Sequence, residues 1–247
     1  MLGIGTGVHH AGSSYIPMDL KDATSGTAAS LQLWLKNNTD VAIGQWKDSS
    51  GNDNHATQAT EANQAAVSGG GLDFEAGESD HYDLATKIDI ADNGGFCVAI
   101  VITRESEVAG CLLSDGSNEL FQFQNATTLR IKTLNSSTEV ITTDAVFPAG
   151  TFATASKFIL LVNRSAGASN KFAFFKNGAK LTADVDTSAN EATGENPSGI
   201  EFSVLGSRTG GSNFFDGIIH EAAIWNRSLT TQEITDVNSY LQSIHGL

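Results

Sequence analysis

A polar loop at residues 48–55 contains a dense group of potential metal ligands. Asp48, Asn52, Asp53 and Asn54 bring carboxylate and amide oxygens together with backbone carbonyls in one short stretch. Oxygen atoms are the ligands that a hard cation such as calcium requires. The same residue types also favour Asx and Ser turns without any ion. The loop therefore predicts either a calcium site or a set of tight turns, and both interpretations stay open.

Motifs for catalysis are missing from the sequence. A glycosidase needs two carboxylates about 5–10 Å apart around one sugar bond. Glu105 and Glu107 have same-face strand spacing, but they flank a serine beside an arginine, a pattern typical of a solvated loop. His220-Glu221 lacks the second histidine of a zinc-protease helix, and neither a G-x-S-x-G motif nor a G-x-x-x-x-G-K-S/T phosphate loop occurs. We therefore predict that the chain is not an enzyme.

Aromatic side chains provide flat apolar faces that can stack on sugar rings. Trp34 and Trp225 lie in apolar strand-like segments and are predicted to be core residues. For Trp46 the pattern does not decide between the core and the surface. Asp80, His81 and Tyr82 lie together at a strand edge and are predicted to be exposed. The residues predicted to contact a ligand are therefore Trp46, Asp80, His81 and Tyr82. A plain surface loop remains the alternative for the last three.

Short apolar runs with strand periodicity recur from Leu31 onward. Leu31–Lys36 (LQLWLK) alternates leucines with other residues, which is the period of a β-strand. Asn177-Gly178 supplies the positive φ angles of a two-residue hairpin turn, so Lys171–Lys176 and Ala179–Val185 are predicted to pair. A polar stretch, 186–199, is predicted to be a long surface loop. Many short strands separated by turn residues predict an all-β sandwich.

Near the C-terminus the period changes to that of a helix. Thr230 and Glu233 have the spacing of a capping box, and Gly246 is placed to end the helix. The apolar residues that fall on one face of this helix are Ile234, Val237, Leu241 and Ile244. One short C-terminal helix is therefore predicted to follow the strands.

Composition and charge argue against several classes of partner. The chain of 247 residues has 28 acidic and 14 basic residues, a formal net charge of -14, which repels phosphate backbones and anionic lipids. We expect no nucleic-acid partner and, because the apolar residues occur in short runs, no membrane insertion. Met1–Gly12 does not have the pattern of a secretory signal. Cys97 and Cys111 are predicted to be buried free thiols.

The chain divides into two regions by composition. Residues 1–30 are rich in Gly, Ser, Thr and Ala and show no sustained periodicity. They predict an extended N-terminal arm for docking or assembly. Residues 31–247 are predicted to form one β-sandwich domain.

Several segments in this order resemble the laminin-G-like jelly roll of the concanavalin A-like superfamily. They are LQLWLKNN (31–38), QWKDSSGNDNHATQ (45–58), GLDFEAGESDHYDL (71–84), FFKNGAKL (174–181) and VLGSRTGGSNFFDGIIHEAAIWNRSLTTQEI (204–234). Lys157-Phe158 departs from the tryptophan that the family usually has there. The resemblance implies an all-β, two-sheet antiparallel jelly-roll sandwich with a concave face that can bind sugars. It does not imply catalysis, because this fold serves lectins, glycosidases and structural domains alike.

The resemblance also implies a metal site. In similar domains an aspartate, loop carbonyls and a glutamate of the penultimate-strand motif share one structural calcium ion, and the matching residues here are Asp48, Asn54 and Glu221. His220 replaces the acidic residue that usually precedes this glutamate, so one oxygen ligand is lost. The expected cofactor is one structural calcium ion.

Two functions are consistent with the sequence. The first is a non-catalytic virion structural protein, because the chain resembles structural or appendage proteins of tailed bacteriophages. It would be a decoration, fibre or tail-appendage component on the exposed virion surface, attached to other virion proteins or copies of itself through the arm, and it could adhere to host glycans. The alternative is a free-standing, extracellular carbohydrate-binding module or lectin-like adhesion protein.

Overall fold

The computed structural model describes residues 30–116, 118–208 and 211–247. Their strands are β1 (Leu31–Leu35), β2 (Val41–Ala42), β3 (Gln45–Trp46), β4 (Ala56–Thr57), β5 (Ala66–Ser68), β6 (Gly71–Phe74), β7 (Tyr82–Ile90), β8 (Phe96–Arg104), β9 (Gly110–Asp115), β10 (Glu119–Phe123), β11 (Thr128–Leu134), β12 (Val140–Val146), β13 (Lys157–Arg164), β14 (Phe172–Lys176), β15 (Ala179–Leu181), β16 (Asp184–Thr187), β17 (Ile200–Leu205) and β18 (Gly217–Trp225). A 3-10 helix spans Glu61–Asn63, and helix α1 spans Thr231–His245.

These strands form two antiparallel sheets that pack face to face. Within the described residues, sheet A has the order β15-β14-β13-β8-β18-β6-β5, and β1 pairs with the C-terminal half of β18. Sheet B has the order β16-β12-β11-β10-β9-β17-β7-β4-β3-β2. The prediction of an all-β, two-sheet jelly-roll sandwich with one C-terminal helix is confirmed.

The centre of sheet A is buried on both faces, whereas strands towards the ends of the sheet B order have one solvated face. Strand β8 (FCVAIVITR) is an almost unbroken apolar run, and its residues are buried on both sides. One side faces the main core between the sheets, and the other faces a second core beneath α1 that contains Trp34, Trp225 and Leu241. Strands β7 and β12 instead alternate buried and exposed residues, as expected for a sheet with one solvated face. The outer face of sheet B is therefore exposed to solvent at β7 and β12, whereas β9 and β10 are buried on both faces.

The β14–β15 hairpin turn and the two ends of α1 lie where the local sequence predicts them. Asn177 and Gly178 have φ angles of 48° and 81° and connect β14 to β15. Thr230 accepts a hydrogen bond from the Glu233 amide, the Glu233 side chain accepts one from the Thr230 amide, and Gly246 ends the helix in the left-handed region. Both predictions are confirmed.

One predicted strand is divided between the sheets. The sequence predicts a single strand over Ala179–Val185, but β15 ends at Leu181 in sheet A and β16 begins at Asp184 in sheet B. The predicted loop 186–199 is accordingly wrong at its start, because β16 continues to Thr187 and pairs with β12. The chain crosses from sheet A to sheet B here, and β16 then pairs with β12 as the edge strand of sheet B.

Three further predictions concern burial and the termini. Trp34 and Trp225 are buried in the core, and Cys97 and Cys111 are buried free thiols, as predicted. The predicted arm, residues 1–30, lies outside the described residues except for Ser30. Among the described residues, α1 is too short and too polar to cross a membrane.

Candidate functional site

A cleft of about 520 Å³ opens at one end of sheet B. It lies where β7 and β11 end, where β17 begins and beside the β9–β10 hairpin. The lining residues are Asp89, Ile90, Ala91, Asp92, Glu119, Leu134, Asn135, Ser136, Gly199, Ile200 and Glu201. Carboxylates, an amide, a hydroxyl and a few apolar side chains therefore share one concave surface, which is the usual make-up of a small-ligand site.

Asp92 holds two walls of this cleft together. Its Oδ1 accepts a hydrogen bond from the Gly199 amide at 2.7 Å, and its Oδ2 accepts one from the Ser136 amide at 3.1 Å. Partial burial raises the pKa of Asp92, but these backbone hydrogen bonds outweigh it and lower the pKa below its usual value. The charged carboxylate is thus fixed as a structural link between the β7–β8 and β11–β12 connections.

Arg164 supports the same walls from beneath. Its side chain is fully buried, stacks over the Phe96 ring at 4.8 Å and donates hydrogen bonds to the carbonyls of Gly94 and Ser198. Burial lowers the pKa of Arg164 to about 10. A planar guanidinium that holds two loop carbonyls makes the rim of the cleft rigid before any ligand binds.

Three carboxylates meet beside the cleft, and two of them, Glu119 and Glu201, line it. Asp115, Glu119 and Glu201 each place an oxygen within 4.8 Å of the other two. Lys87 lies among them, with its Nζ 2.9 Å from Asp115 and 2.8 Å from Glu201. We call these four residues the Lys87 cluster. The ammonium group offsets the repulsion between the two carboxylates that it contacts.

The pKa values of two members are displaced in opposite directions. Glu119 is only 6% exposed, and burial together with the Glu201 charge raises its pKa to about 7. Its Oε1 accepts a hydrogen bond from the Glu201 amide at 2.9 Å. For Asp115, hydrogen bonds from Ser203 and Lys87 outweigh the effect of burial and lower the pKa. Such a divergence is found in glycosidase sites, but here each carboxylate already has a partner inside the protein.

Most residues predicted to contact a ligand lie in the interior. Trp46 is 0% exposed and belongs to the main core, where its Nε1 donates to the Lys36 carbonyl at 3.2 Å. Tyr82 is 0% exposed and its hydroxyl accepts from the Gly44 amide at 3.1 Å. Asp80 is 1% exposed. The expectation that these three side chains are available at the surface is wrong, because Trp46 and Tyr82 pack in the main core and the buried Asp80 carboxylate accepts a hydrogen bond from the Glu75 amide at 2.9 Å.

His81 alone of this set remains partly exposed. Its ring lies 6.1 Å from that of Phe214, which is also partly exposed, and the Gln58 amide donates to the His81 carbonyl at 2.9 Å. His81 therefore stays a predicted ligand contact, at the opposite end of the sandwich from the cleft.

The predicted calcium ligands are only partly brought together. Asp48 and Asn54 are neighbours, since Asp48 Oδ2 accepts from the Asn54 amide at 3.0 Å. Each carboxylate oxygen of Asp48 accepts two hydrogen bonds, from the amides of Trp34, Ser50 and Asn54 and from the Ser50 hydroxyl. This is the arrangement of the turn interpretation. Asn54 Oδ1 is buried and has no partner among the described residues.

Glu221, the third predicted calcium ligand, is engaged elsewhere. Its Oε1 accepts from Trp34 Nε1 at 2.7 Å and from the Tyr240 hydroxyl at 3.2 Å, and its Oε2 lies 2.9 Å from His245 Nε2. The carboxylate thus links β1, β18 and α1 within the second core. As arranged, Asp48, Asn54 and Glu221 do not fit a calcium site, because the carboxylate oxygens of Asp48 and Glu221 already have hydrogen-bond partners within the protein.

Sequence reasoning did not find the cleft. Glu119 and Glu201 are far apart in the chain, as are Asp92 and Gly199, so no local motif joins them. One signal was present, since Asp115 and Glu119 flank a glycine turn and pair directly across the β9–β10 hairpin. Acidic residues on both sides of a tight turn predict adjacent carboxylates.

The fold and the cleft together define a class of protein. Two antiparallel sheets packed face to face, one covered by a helix and one with a polar cleft at its end, form a jelly-roll sandwich. The laminin-G family model described as the concanavalin A-like lectin/glucanases superfamily matches residues 76–235. This match spans well over half of the sequence, and the chain belongs to that superfamily. No curated protein sequence matches the chain significantly.

Solved structures of distant proteins share the fold. The binding domain of Paraclostridial Mosquitocidal Protein 1 aligns with a TM-score of 0.58 and 15% identity over 85% of this chain and 52% of its own. The botulinum neurotoxin serotype G binding domain aligns with a TM-score of 0.56 and 12% identity over 86% of this chain and 51% of its own. A Trypanosoma rangeli sialidase mutant with trans-sialidase activity aligns with a TM-score of 0.55 and 17% identity, over 94% of this chain and 38% of its own. The chain spans about half or less of each of these proteins, and identities this low show the fold alone.

Proposed function

We propose that the chain is a non-catalytic glycan-binding domain whose binding site is the cleft at the end of sheet B. The single observation that carries the proposal is the cleft itself, which combines hydrogen-bonding side chains with rigid walls on the open sheet. Its volume of about 520 Å³ lies in the range of small-ligand sites. Membership of a superfamily that includes lectins and glucanases supports the same function.

The charge of the cleft indicates which glycans it selects. Asp89, Glu119 and Glu201 line it, so an anionic sugar would be repelled, whereas neutral hydroxyls can donate to the carboxylates. Asp115 and Glu201 are tied to Lys87, and Glu119 to a backbone amide. We therefore infer a preference for neutral or amino sugars over acidic ones.

The absence of catalysis is part of the proposal and rests on the same contacts. A retaining glycosidase has its two carboxyl groups about 5 Å apart with one free to attack the sugar. Asp115, the carboxylate with the lowered pKa, is bound by both Ser203 and Lys87. We expect no sugar release from glycans that bind, as measured by chromatography of the products, and any turnover that Glu119→Gln abolishes would overturn this part of the proposal.

Binding is tested with a glycan array followed by calorimetry on the best neutral glycan. Asp89→Ala, in the cleft lining, should weaken binding at least about tenfold, equivalent to about 1.4 kcal/mol. The matched control is Asp186→Ala, an exposed aspartate on the edge strand β16 of the same sheet. A flat array response, or equal loss in both variants, would count against the cleft as a glycan site.

Display on a virion is a further proposal, independent of the cleft. It rests on the composition of residues 1–30 and on the resemblance to structural and appendage proteins of tailed bacteriophages. Other virion proteins or copies of this chain would then be the partners of the arm. Electron microscopy of the full chain and of a chain that starts at Ser30 tests this: assembly of the full chain alone supports it, and two monomeric samples contradict it.

A further inference from the structure

The cleft at the end of sheet B is lined by acidic groups without a matching set of basic ones. Among the described residues that line it, Asp89, Asp92, Glu119 and Glu201 are acidic, and none is a lysine, an arginine or a histidine. A ligand that enters the cleft therefore meets negative charge. How each carboxylate is satisfied within the protein decides which of them has a contact left to make.

Three of the four carboxylates are already balanced or hydrated. Both oxygens of Asp92 accept hydrogen bonds from backbone amides. Glu201 lies 2.8 Å from the Nζ of Lys87. Asp89 is exposed, so water solvates its charge. These three groups do not need a ligand to satisfy them.

Glu119 differs from the other three, because it is buried and has one oxygen without a donor. The residue is only 6% exposed, and its Oε1 accepts a hydrogen bond from the Glu201 amide at 2.9 Å. Its Oε2 has no hydrogen-bond partner within the described part of the chain. This oxygen is not among the fully enclosed atoms without a partner, so it opens towards the cleft that Glu119 lines. A carboxylate that is more than nine-tenths buried thus presents one unpartnered oxygen to a ligand.

The charges around Glu119 favour a cation at this oxygen. Burial and then the Glu201 charge raise the pKa of Glu119 to about 7, the Asp115 charge adds to this, and the Lys87 charge acts against it. Lys87 makes its ion pairs with Asp115 and Glu201, so its ammonium group is already shared by two other carboxylates. A positive group that reached Oε2 would interact with a carboxylate that has lost much of its water, where charge-assisted hydrogen bonds are strong.

Lys87 also shows which kind of cation these carboxylates accept. Its Nζ lies 2.9 Å from Asp115 and 2.8 Å from Glu201, so a primary ammonium group fits beside them at hydrogen-bonding distance. An ammonium group has three donors and no acceptor, which suits a surface of carboxylate oxygens. Because the Lys87 ammonium already occupies Asp115 and Glu201, a metal ion would have to displace it, whereas an ammonium group on a ligand can reach Glu119 from the cleft.

The rest of the cleft suits a sugar that carries such a group. The exposed Asp89 carboxylate can accept hydrogen bonds from sugar hydroxyls. Ala91 and Leu134 add apolar surface to the lining, against which the C–H groups of a sugar ring can pack. A hexosamine presents hydroxyls, C–H groups and one nitrogen on a single ring, and it therefore matches all three kinds of lining group.

We propose that the cleft selects glycans with a free primary amine over the same glycans in N-acetylated form, and that Glu119 binds the ammonium group. This rests on the proposed function, that the cleft is a glycan site, and it names the class of sugar. An N-acetyl group has no charge and offers one amide donor, so it cannot replace the charge-assisted hydrogen bond. Glu119 is thus the residue that determines specificity.

Matched pairs of hexosamine glycans test this selection. A glycan array displays each glycan with a free amine and in N-acetylated form, and calorimetry near neutral pH follows on the best pair. The native chain should bind the amine form at least about tenfold more tightly, as expected for a hydrogen bond to a charged group. Binding should be the same in EDTA.

Glu119→Gln tests the residue. The variant keeps an oxygen for the Glu201 amide but has no charge, so the preference for the amine form should fall to about twofold or less. Its affinity for the N-acetylated form should change by no more than about twofold. Glu61→Gln is the matched control, because it removes the same charge from an exposed position in the 3-10 helix. It should keep the native preference, and thermal unfolding checks that both variants are folded.

The possible results separate this selection from the proposed function. Equal native affinity for both forms, with Asp89→Ala weakening both, would leave the cleft as a glycan site and overturn selection by Glu119. A native preference in Glu119→Gln would overturn it, as would a lost preference in Glu61→Gln, which would assign the effect to overall charge. Loss of binding in EDTA would show that a metal ion makes the contact and would also overturn it. Binding of neither form would overturn both the selection and the glycan site.

Discussion

The buried carboxyl of Glu119 in the candidate site makes the stability of the protein depend on pH. Its pKa is raised to about 7 in the folded chain, first by burial and then by the Glu201 charge, against about 4.3 in an unfolded chain. Between these values the folded protein holds more protons than the unfolded one. The contribution of Glu119 to stability is therefore fully present below about pH 4 and is lost as the pH rises through about 7.

Replacing Glu119 with glutamine should remove this pH dependence. Glu119→Gln keeps an oxygen to accept from the Glu201 amide but cannot ionise. We expect its melting temperature to exceed the native value at pH 8 by a few degrees, about 2–4 °C for each kcal/mol, and to equal it near pH 4. Calorimetry over this range, with the exposed Glu61→Gln as control, measures the difference. A difference that does not vary with pH would contradict the argument.

Glu221 is a structural residue rather than a ligand residue in this arrangement. It accepts hydrogen bonds from Trp34 and Tyr240 and contacts His245, all within the second core. Glu221→Ala leaves buried donors without an acceptor, and we expect a loss of about 3–5 kcal/mol in the free energy of unfolding. Tyr240→Phe removes one hydrogen bond and should cost about 0.5–1.5 kcal/mol. Urea unfolding measures the free energy lost in each of the two variants. Equal losses would show that the Glu221 carboxylate is not the centre of this hydrogen-bond network.

At the scale of elements, the β14–β15 hairpin contacts the helix through its turn. Gly178 has a φ angle of 81°, and an added Cβ would lie 2.3 Å from Nδ2 of Asn238 on α1. The turn therefore has both a backbone and a packing reason for glycine.

Gly178→Ala should destabilise the chain by more than about 1 kcal/mol, through strain at positive φ and displacement of Asn238. Gly150→Ala is the matched control, since Gly150 has a φ angle of 80° and nothing within 4 Å of an added Cβ. Denaturant unfolding of both variants separates strain from packing. Equal losses would mean that the contact with α1 adds nothing to stability.

At the scale of the whole molecule, acidic charge dominates the surface. A net charge of -14 makes the compact state repel itself, and salt screens that repulsion. We expect the melting temperature in EDTA to rise by a few degrees as NaCl increases from 0.01 to about 0.5 M. A fall over this range would indicate that attractive pairs such as Arg130–Asp144 outweigh the repulsion.

The sequence by itself determined the elements whose signals are local. Alternation predicted β1, Asn177-Gly178 predicted a hairpin, and Thr230 with Glu233 predicted the start of α1. The ordered series of motifs also predicted the two-sheet sandwich. The strand, the hairpin and the helix start follow from contacts between residues close in sequence, because backbone conformation and capping depend on near neighbours. The sandwich was predicted from the family resemblance instead.

Only the tertiary structure decided which side chains reach solvent and which distant residues meet. Trp46 and Tyr82 are buried because their side chains pack in the core between the two sheets, although their local pattern does not show it. Glu119 meets Glu201, and Asp73 meets Glu105, through strand pairing between segments far apart in the chain. Sheet register and the covering of one sheet by α1 are properties of the assembled core. For this reason the cleft, whose walls come from four separate parts of the chain, exists only in the assembled sandwich.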